Sequence, residues 1–144
     1  MPRTRRKPHR HELLSRTATI TSYSARVHIR VDHRRGDAPG IEAGPWLELR
    51  GTLEQPVKGV EDVLFSLCPK DNPQIGPARP AGIGSVIGLK PEMSVVIPWS
   101  HRDFDRLWAL ALSGKLRFAD LLFTKPHYGK ARVVGASFST ERDE

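Results

Sequence analysis

The sequence predicts a mostly β fold, an antiparallel sandwich or partly open barrel of about seven strands, with one amphipathic helix at 101–113 inserted before the last two strands. Three observations predict it. Apolar residues alternate with polar ones in most of the chain; twelve glycines and twelve prolines punctuate it; and only one stretch has helical spacing. At 144 residues the chain is expected to form one domain. The expected division is a basic arm over 1–16, a β-rich domain over 17–140 and a frayed tail over 141–144.

The first strand is expected over Thr19–Val31. Tyr23, Ala25, Val27 and Ile29 share one face, while Ser22, Ser24, Arg26, His28 and Arg30 share the other. Asp32–Pro45, with three glycines and two prolines, reads as a long loop. Trp46–Glu54 alternates again, with Leu47, Leu49 and Leu53 on one face. Gly51 interrupts that face and marks a bulge or a close backbone approach. If this strand pairs with the first, Glu48 and Glu54 lie opposite Arg26 and Arg30.

Val60–Cys68 is a third strand and Pro69–Gly82 a proline-rich loop. Ile83–Leu89 and Met93–Trp99 are short strands joined by Lys90-Pro91-Glu92. Ser100 caps the helix and Asp103 stands three residues on, near a capping box. Phe104, Leu107, Trp108, Ala111 and Leu112 form its apolar stripe, and Gly114 ends it. Leu116–Thr124 and Lys130–Thr140 are the last strands, with Lys125–Gly129 as the turn. In the last strand Val134, Ala136 and Phe138 share a face and Val133 lies opposite.

Charge is distributed unevenly. Residues 1–35 hold ten Lys/Arg and two acids, a net of +8; residues 36–144 hold thirteen and fourteen, a net of −1. The density peaks at Arg3, Arg5, Arg6, Lys7 and Arg10. No apolar residue follows Met1 until Leu13, so this arm has nothing to bury and is expected to be disordered. A clustered basic arm suits phosphate neutralisation, whereas the plain alternative is a solvated tail.

The segment Lys125-Pro-His127-Tyr128-Gly-Lys130-Ala-Arg132 puts three cations, a histidine and a tyrosine on one hairpin. Tyr128 suits stacking on a base, with the cations on phosphates. It equally suits a hairpin whose charges block edge pairing. Arg26 and Arg30 are candidate helpers.

Other chemistry has weaker signals. The single cysteine, Cys68, excludes an internal disulfide framework and reads as packing. The histidines His9, His11, His28, His33, His101 and His127 have no metal-motif spacing. Gly82–Gly88 imitates a phosphate loop without the strand and helix such a loop needs. Trp46 and Trp99 stand at strand ends, where burial is the default.

The expectation is a non-enzymatic binding or assembly module whose arm contacts an anionic partner, foremost nucleic acid. No catalytic residue, cofactor, metal or membrane contact is expected. The alternative is a protein-interaction subunit acting through a strand edge. A small hydrolase or metal enzyme using His101, His127 and Asp120 stands third. No apolar segment follows the basic start, so no secretory signal is read and a cytoplasmic location is expected. A transit peptide is the minor alternative.

Overall fold

A computed structural model describes residues 12–32, 40–70 and 83–142, with side chains except at 30–32 and 40–43. The elements are β1 (Leu13–Asp32), β2 (Gly40–Val57), β3 (Val60–Pro69), β4 (Gly84–Gly88), β5 (Met93–Trp99), α1 (His101–Leu112), β6 (Phe118–Thr124) and β7 (Ala131–Ser139). The strands close into a barrel in the order β1-β2-β3-β5-β4-β7-β6, and β6 returns to β1. Of the two expected architectures the barrel forms, and it is closed rather than partly open.

Alternation fills the interior. Leu47, Leu49 and Leu53 of β2, Val63, Phe65 and Leu67 of β3, Met93, Val95 and Ile97 of β5, and Ala119, Leu121 and Phe123 of β6 are all buried. Within each set the residues stand two or four apart and so face one way. Phe65 meets Phe138 edge-on with ring centroids 5.4 Å apart. Phe138 in turn meets Trp99 at 5.9 Å.

One pair departs from the expected antiparallel pattern. β3 and β5 run parallel, from Val63↔Met93 to Pro69↔Trp99. A parallel return needs a crossover of a dozen or more residues. The segment between β3 and β5 provides it and carries β4, which pairs with the far side of β5.

The helix forms where its cap and stripe place it, ending at Leu112, one residue before the expected boundary. Ser100 Oγ accepts the N–H of Asp103 at 3.2 Å, and its hydroxyl donates to Asp103 Oδ2 at 3.1 Å. Phe104, Leu107 and Ala111 are buried, and Gly114 adopts φ +74° just past the end. The helix lies against β3 and β5.

Several expected boundaries move. β1 begins at Leu13, inside the stretch assigned to the arm. Leu13–Thr19 pair with Thr124–Phe118 of β6. The basic residues masked a short inward alternation in which Leu14 packs on the core and Ala18 is buried. Between them, the Arg16 guanidinium donates to the carbonyls of Ser15 and Pro56.

β2 begins at Gly40, so the predicted loop Asp32–Pro45 gives up its second half to a strand. That half pairs with β1, Val27 facing Pro45 and Asp32 facing Gly40. β3 joins β2 only from Leu47, so the outer half of β1–β2 is a two-stranded ribbon. A ribbon strand needs donors on one side only, which lets Pro45 sit in it.

Gly51 stands opposite a bulge in β1 between Ile20 and Ser22. A Cβ there would lie 2.6 Å from the Thr19 carbonyl oxygen. Both expectations for this glycine therefore hold.

A second bulge corrects the reading of β7. Leu122 pairs with Gly135, yet Phe123 pairs with Val133, leaving Val134 as the extra residue. The bulge switches the inward parity. Val133 is buried and Val134 exposed, while Ala136 and Phe138 pack on the same core.

The expected ion pairs split. Arg26 meets Glu48 at 3.5 Å, and Arg30 is the register partner of Glu42. Glu54 pairs instead with Arg142, whose guanidinium also lies 5.8 Å from the Phe118 ring centroid. Arg142, within the expected tail, thus reaches back to the barrel.

Candidate functional site

The β6–β7 hairpin is built by a two-residue turn. His127 N–H donates to Lys130 O at 2.8 Å and Lys130 N–H returns to His127 O at 3.1 Å. Between them Tyr128 has φ +51° and Gly129 φ +75°. Positive φ at both central positions is the type I′ turn that matches strand twist. The Tyr128 residue is 89% exposed. Its ring meets the His127 ring in an edge contact, centroids 4.3 Å apart at 66°.

Barrel order sets β4 beside β7, with Ser85 facing Arg132 and Val86 facing Ala131. β4 is only five residues long, and the turn reaches its end, a Cβ at Gly129 lying 3.9 Å from Leu89 N. A cavity of about 480 Å³ opens there, lined by Ser85, Val86, Ile87, Thr124, Lys125, His127, Lys130, Ala131 and Arg132. Thr124 is buried and its Oγ1 accepts the Arg132 backbone N–H at 2.9 Å. Ile87, 56% exposed, adds apolar surface. The lining holds three cations and no acid.

The chain enters the barrel at this same place. Lys125 N–H donates to Glu12 O at 2.7 Å, and Lys125 Nζ stands 3.7 Å from Glu12 Oε2. Both side chains are largely exposed, so that ion pair contributes little stability. Arg10 precedes Glu12 by two residues in the sequence. Arg3, Arg5, Arg6, Lys7 and Arg10 lie outside the described residues. Their point of attachment does not, and it adjoins Lys125.

Of the sequence-chosen residues, the structure therefore gathers Lys125, His127, Lys130 and Arg132 round one cavity, and Tyr128 stands outside the lining against the His127 ring. Arg26 is not brought there. It lies thirteen residues beyond Leu13 on β1, roughly 40 Å along a straight strand, and is paired with Glu48. Arg30 continues away along the same strand. Ser85, Ile87 and Thr124 were not chosen from the sequence. The available signal was Val86-Ile87, two adjacent apolar residues on one strand, of which one must face outward.

The remaining candidates settle into packing or separate places. Asp120 accepts the Thr17 hydroxyl at 2.5 Å and the Ser137 hydroxyl at 3.5 Å, a contact across three strands. His101 opens α1, and neither it nor Asp120 lines the cavity that holds His127. Among the described residues no group of three His, Cys, Asp or Glu side chains stands close enough to hold a metal ion.

Burial pushes the Cys68 thiol above its ordinary value, with the charge of Lys70 opposing the shift. That is the profile of a packed rather than a reactive cysteine. Gly84–Gly88 is β4 itself. Gly84 is needed for packing, since a Cβ would lie 2.5 Å from Val96 O. Trp46 donates its indole N–H to Glu48 at 3.3 Å, and Trp99 packs on Phe138. His9, His11, His33 and Gly82 lie outside the described residues.

Compared with protein-family models, curated proteins and solved structures, the chain matches none.

Proposed function

We propose that this chain is a non-enzymatic nucleic-acid-binding module. One observation carries the reading: the basic arm joins the barrel beside the cavity lined by Lys125, Lys130 and Arg132. The arm supplies sequence-independent attraction to phosphates. The hairpin supplies a fixed surface with cations, hydroxyls and an exposed aromatic ring. Two clusters far apart in sequence thus act on one length of polyanion.

The test is a salt titration of the full chain with single-stranded DNA, duplex DNA and RNA. The logarithm of the association constant should fall steeply and linearly with the logarithm of salt, by about 0.7–0.9 per phosphate neutralised. A slope near zero, or no binding at low salt, would refute the proposal.

A second reading has its own observation. Closure leaves the barrel without an edge, but the β1–β2 ribbon beyond it keeps one. Val27 and Ile29 on that ribbon are 73% and 74% exposed. Exposed apolar residues beside a free strand edge suit addition to a partner's sheet. Self-association that persists in high salt and disappears in Val27→Glu, measured by light scattering, would favour this reading; a monomer at all concentrations would remove it.

A further inference from the structure

The hairpin tip carries an aromatic ring where turn chemistry gives no reason for one. The first central position of a type I′ turn favours Asn, Asp or Gly. A bulky side chain at positive φ is uncommon and costs conformational energy. The same chain builds the equivalent turn between β2 and β3 with Lys58 at φ +48° and Gly59 at φ +80°, so the fold needs the turn and not the ring. Nor does Tyr128 repay its place by packing, since it is almost wholly exposed and absent from the core cluster. Its ring contact is with His127, which sets its angle without burying it.

We infer that Tyr128 is a stacking platform for an unpaired base, so that this end of the barrel takes single-stranded nucleic acid in preference to duplex. The inference rests on the proposed function and specifies the form of nucleic acid. The cavity beside the tip is about 480 Å³, the scale of one small ligand rather than of a duplex. Lys130 and Arg132 follow the tyrosine by two and four residues on the same hairpin, which puts cations within roughly 13 Å of it along the strand. A nucleotide whose base lies on Tyr128 therefore has phosphate-binding groups within reach of its own or the next phosphate. Inside a duplex both faces of a base are covered by its stacked neighbours. Only an unpaired or terminal base offers a face to the ring, whereas the cations serve either form.

The experiment is fluorescence anisotropy with a labelled oligo-dT strand and a labelled blunt-ended duplex of matched length, using the full chain. Tyr128→Asn removes the ring and gives the turn a residue it prefers, so the fold is kept. Tyr128→Phe keeps the ring. Tyr128→Asn should weaken single-strand binding about tenfold or more and leave duplex affinity within about twofold. The salt slope should stay unchanged, because stacking releases no counterions. Tyr128→Phe should keep the parent's single-strand affinity. Equal single-strand affinity in parent and Tyr128→Asn, or equal losses on both nucleic acids, would overturn the inference while leaving the wider proposal standing. A parent that binds neither at low salt would overturn both.

Discussion

Deleting residues 1–11 should flatten the salt dependence of nucleic-acid binding. Five cations are removed: Arg3, Arg5, Arg6, Lys7 and Arg10. If each meets a phosphate, the slope on duplex DNA falls in magnitude by about 4.5, and on a single strand by about 3.5. Between about 50 and 200 mM salt the intact chain should then lose roughly two to three decades more affinity than the truncated one. The deletion leaves the barrel whole. β1 starts at Leu13, and Glu12 remains to accept the Lys125 N–H. Residual binding by the truncated chain should come from the hairpin, with a shallow slope of its own. Parallel salt lines for the two proteins would show that the arm touches no phosphate, and would remove the arm from the proposal.

Gly84→Val should cost about 3 kcal/mol or more of folding stability, measured by urea denaturation. A Cβ at this position would stand 2.5 Å from Val96 O and 3.2 Å from Ile97 Cα. Both are backbone atoms of β5, and they cannot yield as the end of a flexible side chain can. β4 is the shortest strand and the link between β5 and β7, so forcing it outward opens the barrel. It also displaces Ser85 and Ile87 from the cavity. Gly88→Ala, at the other end of the strand, meets nothing within 4 Å and should stay within about 0.5 kcal/mol of the parent. A Gly84→Val protein as stable as the Gly88→Ala control would mean that β4 does not approach β5 this closely.

What was legible in the sequence depended on how local its cause was. Helix α1 could be read almost to the residue, because Ser100, Asp103, the Phe104–Ala111 stripe and Gly114 act within a few turns of one another. The strand Met93–Trp99 was read to its ends for the same reason. The parallel pairing of β3 with β5 was not legible, since neither strand records which side of it β4 will take. Val133 and Val134 were assigned to the wrong faces, because a bulge is set by the partner strand. Glu54 was matched to the wrong cation, as its true partner Arg142 lies in the tail on another strand's side.

The site divides in the same way. Lys125, His127, Tyr128, Lys130 and Arg132 are neighbours in sequence, and a hairpin keeps them neighbours in space. Ser85 and Ile87 arrive from a distant strand, and Glu12 arrives from the start of the chain. Those juxtapositions exist only once the barrel is closed.

Closure itself dictates an order of events during synthesis. Thr17 and Asp120, which touch across the seam, are 103 residues apart in the chain. The strands β1, β2 and β3 pair with their neighbours in sequence and can form as they leave the ribosome, whereas the first seven residues of β1 must wait for β6. Contacts this remote in sequence make folding slow. Until they form, the nascent chain carries a bare, hydrogen-bond-hungry margin along β1, open to capture by another such margin. Any translational pause that keeps Phe118–Thr124 from clearing the ribosome would prolong that hazard.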